Sequence, residues 1–188
     1  MFKKTLMVAG LVLSAVFANA AYASPSIEPL VQETIVRTGN HLLMCAEYVD
    51  LCFVDTPGKP VAYNATQLEA VNKKVNAEIE YTPEAEDHWT VNPKKGDCED
   101  YALTKMVDLI ALGYPRNELH LTMVVLKETG EKHMVLNVET TSGTYVLDNR
   151  SSKVKRWDEI TYYKWVATEQ FTINNMILYR INNFWNTN

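Results

Sequence analysis

Glycine and proline are scarce in this sequence of 188 residues, which has seven of each and gathers neither into a tract. Long flexible linkers and collagen-like repeats are therefore excluded. Excess basic charge is also missing, because 18 lysines and arginines are outnumbered by 23 acidic residues. A nucleic-acid-binding domain needs a basic face, so no nucleic-acid partner is expected. With 47% hydrophobic and 22% charged residues, the composition is that of one compact globular domain.

The N-terminal segment has the pattern of a secretory signal peptide. Two lysines precede an apolar run over residues 6–18, and residues 21–23, Ala-Tyr-Ala, place small side chains at the −3 and −1 positions of a cleavage site. The run is short for a transmembrane helix, and an uncleaved anchor is the alternative interpretation. We expect a signal peptide over residues 1–23, a mature domain over residues 24–188, and a periplasmic or secreted protein.

Cysteine is rare as well, with only Cys45, Cys52 and Cys98 present. Paired cysteines are oxidised in an exported protein, and the short segment between Cys45 and Cys52 allows them to close a small ring. We therefore predict a disulfide between these two residues. Cys98 is then an odd cysteine that needs an explanation. A different pairing, or an inert buried thiol, is the alternative.

Hydrophobic periodicity divides the mature chain into helices followed by strands. Near-helical spacing predicts an opening helix over residues 26–43 and a second helix capped by Thr66, with Glu69 as its capping-box partner. A third helix is predicted from residue 98 to residue 112, where Gly113 ends it. Beyond it the period changes to two, which predicts antiparallel strands over residues 119–127, 132–139, 144–149 and 162–167. Helices first and strands afterwards indicate an α+β fold.

Cys98 lies where the third helix begins, and its position indicates nucleophilic chemistry. A helix N-terminus carries partial positive charge, which favours the reactive thiolate. A thiolate nucleophile also needs a base, and the base needs a group to orient it. His133, on the second predicted strand, is the candidate base.

The candidate orienting group is Asp148, on the strand after His133. If Thr140 pairs with Gly143 across a hairpin, His133 and Asp148 share a face as diagonal neighbours, roughly 7–8 Å apart at the backbone. A slip of one residue would place Asp148 on the other face. Taken singly, a strand histidine is usually a half-buried structural side chain and a terminal aspartate usually caps a turn. Together with Cys98, they predict a Cys-His-Asp triad.

Three segments resemble motifs of the bacterial transglutaminase-like cysteine proteinase family. Residues 96–102, Gly-Asp-Cys-Glu-Asp-Tyr-Ala, resemble its cysteine motif, and residues 131–136 and 146–149 resemble its histidine and aspartate motifs. The resemblance covers roughly residues 45–165 in the family's order. It implies a papain-like, transglutaminase-like core with the nucleophile at the N-terminus of a helix packed on an antiparallel sheet. It also implies a cysteine peptidase in which Cys98 is the nucleophile, His133 is the general base and acid, and Asp148 orients His133.

The LapG-type periplasmic proteases of this family imply a cofactor and partners. They cleave a large surface adhesin, require calcium, and are restrained by an inner-membrane receptor that senses cyclic di-GMP. Acidic residues beside their nucleophile help to bind calcium, and these correspond to Asp97 and Glu99. Carboxylates suit this hard cation, although capping of the helix N-terminus is an alternative use for them. The pair of Cys45 and Cys52 is closer to an uncharacterised branch of the family.

The expected function is that of an exported cysteine peptidase. It would hydrolyse peptide or isopeptide bonds in an envelope or surface protein, and the resemblance implies calcium-dependent processing of an adhesin. Transglutaminase-type acyl transfer to an amine is one alternative, and a non-catalytic envelope-binding domain is another. The oligomeric state is not predicted.

Overall fold

The computed structural model describes residues 39–52, 59–86, 88–172 and 175–180. The helices come first in the chain: α1 (Gly39–Glu47), α2 (Val49–Cys52), α3 (Ala65–Glu78) and α4 (Cys98–Ala111). Two short parallel strands, β1 (Glu80–Tyr81) and β2 (Lys95–Gly96), lie between α3 and α4. The remaining strands follow: β3 (Leu119–Leu126), β4 (Lys132–Thr140), β5 (Gly143–Leu147), β6 (Lys155–Arg156), β7 (Tyr163–Thr172) and β8 (Asn175–Arg180). This order confirms the predicted α+β class.

The main sheet is antiparallel and has the strand order β6-β5-β4-β3-β7-β8. A tight turn joins β4 to β5, and Gly143 adopts the positive φ of 118° that this turn requires. Helix α4 packs across β4 and β3, and α3 lies against α4. Apolar side chains of these elements form the core, among them Leu68, Val75, Leu103, Met106, Leu121 and Leu136. The core thus fixes the start of α4 against the sheet.

The helix boundaries correct the prediction at two places. Asn64, rather than Thr66, caps α3, because its side-chain oxygen accepts the backbone N–H of Gln67 at 3.1 Å. Thr66 already lies inside the helix. The opening helix was predicted for residues 26–43; residues 26–38 lie outside the described residues, and α1 continues beyond residue 43 to Glu47. The predicted signal peptide also lies outside them and stays a prediction.

The strand predictions are confirmed in type and nearly in extent. β7 is longer than the predicted strand over residues 162–167, since it continues to Thr172 and pairs with β8. β1 and β2 are not among the predicted strands, because two residues are too few to produce a readable period. Among the described residues, no helix is long and apolar enough to cross a membrane.

A disulfide joins α1 to α2, and a buried ionic cluster attaches α1 to the sheet. Cys45 and Cys52 form the predicted disulfide, with a Cα–Cα distance of 5.4 Å. Beside it, His41 Nε2 lies 2.9 Å from Glu169 Oε1, and Arg116 Nη2 donates to Glu169 Oε2 at 3.1 Å. A structural disulfide is typical of an oxidising compartment.

Candidate active site

The start of α4 is held by a buried carboxylate. Asp97 is the N-cap residue, and its backbone N–H donates to Asp100 Oδ2 at 3.1 Å. The other oxygen of Asp100 accepts the backbone N–H of Thr90 at 2.7 Å. Burial raises the pKa of Asp100 to about 6, although these two N–H groups act in the opposite direction. Gly96 is required here, because a Cβ at that position would lie 2.1 Å from Asp100 Oδ2.

Cys98 is the first residue of α4 and is partly buried. Its thiol donates to Glu99 Oε2 at 3.3 Å, and the backbone N–H of Met134 bonds to the sulfur. Burial raises the pKa of Cys98, and the carboxylates of Glu99 and Asp97 raise it further. The effect expected of the helix N-terminus, which favours the thiolate, is thus opposed by burial of the thiol and by two adjacent carboxylates.

His133 and Asp148 come together as the hairpin register predicts. Thr140 pairs with Gly143, and the ladder continues without a shift to the pair of Leu136 and Leu147. His133 Nε2 lies 2.9 Å from Asp148 Oδ1, and both side chains are buried. The Nδ1 atom of the ring is then the nitrogen available for a thiol. Because the backbone N–H of Met134 bonds to the Cys98 sulfur, the start of α4 lies against the part of β4 that carries His133.

Asp148 has further partners that the sequence did not predict. Tyr163 Oη donates to Asp148 Oδ2 at 2.7 Å, and the backbone N–H of Arg150 donates to Oδ1 at 2.8 Å. The Asp148 N–H donates to Asn72 Oδ1 at 3.0 Å. Burial alone would raise the pKa of Asp148, but His133, Tyr163 and the Arg150 N–H together hold it below its ordinary value. The carboxylate is therefore kept charged and fixed in direction.

Two carboxylates beside the nucleophile offer oxygen ligands for a cation. Asp97, Cys98 and Glu99 each present one ligand atom, and these atoms lie within 4.8 Å of one another. Asp97 Oδ1 is buried and has no hydrogen-bond partner among the described residues. Carboxylate oxygens suit calcium, whereas the sulfur of Cys98 does not. Asp97 and Glu99 therefore fit a hard cation, and Cys98 remains for chemistry.

The missed residues had weak signals in the sequence. Asp100 is three residues after the N-cap Asp97, which is the spacing of a capping box. Asn72 lies within the apolar stripe of α3, where a polar side chain indicates a buried partner. Tyr163 gave no signal, because a tyrosine on a strand is ordinary core composition. A thiol beside an imidazole that a carboxylate orients is an arrangement for nucleophilic attack on a carbonyl.

Comparison with known proteins agrees with this chemistry. The profile of a family described as bacterial transglutaminase-like cysteine proteinase matches residues 32–182. Calcium-bound LapG of Legionella pneumophila is similar at 27% identity and a TM-score of 0.52, over 76% of this chain and 81% of that chain. A second structure of LapG from the same organism is 26% identical with a TM-score of 0.53, over 82% of this chain and 88% of that chain.

A third structure, EGTA-treated LapG, is 26% identical with a TM-score of 0.53, over 82% of this chain and 86% of that chain. No curated protein matches the chain significantly. The likeness to the LapG structures, together with the mixed helix and sheet architecture, confirms the fold class expected from the motifs.

Proposed function

Because this chain belongs to the bacterial transglutaminase-like cysteine proteinase family and is a cysteine peptidase, we propose that it acts in the periplasm on an envelope or surface protein. It hydrolyses peptide or isopeptide bonds, and a surface adhesin is the substrate class that the family resemblance implies. The observation that carries the proposal is the hydrogen bond of 2.9 Å between His133 and Asp148, on the strand whose next residue, Met134, bonds to the Cys98 sulfur through its N–H. The disulfide supports export to an oxidising compartment.

The three side chains have separate tasks in the proposed mechanism. His133 Nδ1 takes the thiol proton of Cys98 while Asp148 holds the ring through Nε2 and stabilises the imidazolium. The sulfur bonds to the carbonyl carbon, and backbone N–H groups at the start of α4 stabilise the oxyanion. His133 then protonates the leaving amine, which yields a thioester on Cys98. Water, deprotonated by His133, releases the acyl product and regenerates the thiol.

We propose that Asp97 and Glu99 hold a calcium ion, as one of the similar LapG structures is calcium-bound. The fit rests on their oxygen donors and on the buried Asp97 Oδ1 without a hydrogen-bond partner among the described residues. A bound cation supplies positive charge next to Cys98. That charge opposes the effect by which the two carboxylates raise the pKa of the thiol.

The test compares envelope proteins before and after exposure to the enzyme. Envelope fractions from a strain lacking this gene are incubated with purified protein, and new protein N-termini are identified by mass spectrometry. We expect specific new termini with the wild type and none with Cys98→Ala, His133→Ala or Asp148→Ala. His88→Ala is the matched control, because His88 is a surface histidine with 65% side-chain exposure, paired only loosely with Glu47 at 3.6 Å. The new N-termini produced by His88→Ala should be the same as those produced by the wild type.

Two outcomes would overturn the proposal. Unchanged cleavage by Cys98→Ala would refute the thiol mechanism. Incorporation of a fluorescent amine into envelope proteins, with no new termini, would instead establish acyl transfer.

The calcium site has its own test. EGTA should abolish cleavage and added calcium should restore it, and the double variant Asp97→Asn, Glu99→Gln should no longer respond to calcium. An identical response of that variant would refute the ligand assignment.

A further inference from the structure

Two asparagines on α3 face the segment that carries Asp148. Asn72 Oδ1 accepts the Asp148 N–H at 3.0 Å, and Asn72 Nδ2 donates to the Ser151 carbonyl at 2.7 Å. Asn76, one turn later, donates from Nδ2 to the Asp148 carbonyl at 3.0 Å and to the Ser151 carbonyl at 3.2 Å. The backbone of Asp148 is thus held at both its N–H and its carbonyl by one helix.

These contacts stand where the β ladder ends. β5 stops at Leu147, and its pairing with β4 ends at the same residue, so Asp148 is the first residue beyond the ladder. Side-chain amides of α3 replace the strand partner that this backbone would otherwise lack. Asn72 is 0% exposed, and a buried amide is costly unless it is hydrogen-bonded. Both the side-chain oxygen and the side-chain nitrogen of Asn72 form hydrogen bonds with the backbone of residues 148–151.

We propose that Asn72 and Asn76 are positioning residues that set the direction of the Asp148 carboxylate toward His133. This inference rests on the proposed function and adds α3 to the elements that build the site. A carboxylate that orients a catalytic imidazole must be held within a fraction of an ångström. The amides fix the backbone of Asp148, while Tyr163 and the Arg150 N–H fix its carboxylate oxygens.

The experiment compares Asn76→Ala with Asn64→Ala in the full-length protein. Asn76 is only partly buried, so its truncation leaves the core of α3 intact. Asn64 caps the same helix at its other end and has no hydrogen bond to the described segment 148–151, so its loss destabilises α3 without removing a hydrogen bond of Asp148. We expect Asn76→Ala to lower the rate of envelope-protein cleavage at least tenfold, and Asn64→Ala to lower it less than twofold.

The pH profile of cleavage separates positioning from loss of stability. The titratable or charged groups that interact with Asp148 are His133, Tyr162, Tyr163 and Arg150, together with Lys105 from α4. When its backbone is no longer fixed, Asp148 loses part of the contacts that lower its pKa, so the acidic limb should move to higher pH in Asn76→Ala. Asn72→Ala should show the same shift, with a larger loss of stability because its side chain is fully buried.

Equal rates and equal pH profiles for Asn76→Ala and Asn64→Ala, at matched urea midpoints, would overturn the positioning role. The failure of the proposed function is distinguishable, because cleavage would then persist in Cys98→Ala. Where Cys98→Ala is inactive and Asn76→Ala has the wild-type profile, only the role of the asparagines is refuted.

Discussion

Glu169→Gln should be among the most destabilising isosteric substitutions in this protein. The Glu169 carboxylate is 0% exposed and receives three donors: Arg116 Nη2 at 3.1 Å, His41 Nε2 at 2.9 Å and the Leu121 N–H at 2.9 Å. Glutamine has nearly the same volume, so the variant removes the negative charge and leaves the packing. Arg116 then remains buried, with 8% exposure, and without its counter-charge.

Breaking a buried ion pair in this way costs about 3–5 kcal/mol, because one charge stays desolvated. A domain of this size has a free energy of unfolding of roughly 5–15 kcal/mol, so the loss is a large fraction of the total. The melting temperature should fall by about 6–20 °C. Exposed pairs are different: the Glu69–Lys73 pair, 2.9 Å long but 38% and 55% exposed, contributes only about 0.3–0.5 kcal/mol. Glu69→Gln is therefore the control.

The effect should depend on pH with a definite sign. Burial alone would raise the pKa of Glu169, but Arg116, His41 and the Leu121 N–H lower it below its ordinary 4.5. His120 also interacts with this carboxylate. A carboxyl group whose folded pKa is lowered stabilises the fold above the unfolded pKa and loses that contribution as the pH falls through the folded pKa. The difference in free energy of unfolding between the wild type and Glu169→Gln should therefore be largest at pH 7 and should decrease below about pH 4.5.

Urea unfolding followed by circular dichroism at pH 7 and pH 4 measures both effects. The double variant Arg116→Met, Glu169→Leu should recover part of the loss, because it removes the unpaired buried charge but leaves His41 and the Leu121 N–H without their acceptor. A loss below about 1 kcal/mol for Glu169→Gln, or a loss equal to that of Glu69→Gln, would refute the reasoning.

Three further predictions concern groups near the site and the disulfide. Burial lowers the pKa of Lys105 to about 7. The free energy of unfolding of the wild type should therefore rise by up to about 1.4 kcal/mol per pH unit above pH 7. Urea unfolding of Lys105→Met should show no such rise. Gly96→Ala places a methyl group against Asp100 and should cost about 1–3 kcal/mol and slow alkylation of Cys98 by iodoacetamide; wild-type values would contradict this. Replacing Cys45 and Cys52 by alanine should cost about 2.5 kcal/mol from loop closure, and dithiothreitol should then no longer shift the urea midpoint.

The geometry of His133 and Asp148 was predictable because a tight turn fixes a hairpin register. Gly143 supports the positive φ of that turn, and alternation then assigns every later side chain to a face. The state of the Cys98 thiol was not predictable in the same way. The helix position favours the thiolate, while the two flanking carboxylates and burial oppose it, and which effect prevails depends on side-chain distances such as the 3.3 Å to Glu99.

The cap of α3 shows a second limit of local patterns. Thr66 and Glu69 have the spacing of a capping box, yet Asn64 provides the cap and Glu69 pairs with Lys73 instead. Asn64 and Thr66 are both residue types that cap helices, and their positions differ by less than one helical turn. Tertiary contacts decide between them, since the chain just before the helix pairs with the end of β4 through Val61.

The buried polar groups mark the point at which sequence reasoning needs the fold. Asn72 interrupts an apolar stripe, and such a residue predicts that a partner exists, because an unpaired buried amide costs too much to keep. The apolar stripe does not identify the partner, because that partner, Asp148, lies 76 residues away in the sequence. The same holds for Glu169, whose partners Arg116 and His41 are 53 and 128 residues distant. A polar residue on a buried face therefore predicts a long-range contact whose other end only the tertiary structure supplies, and in this protein one such contact leads to the candidate active site.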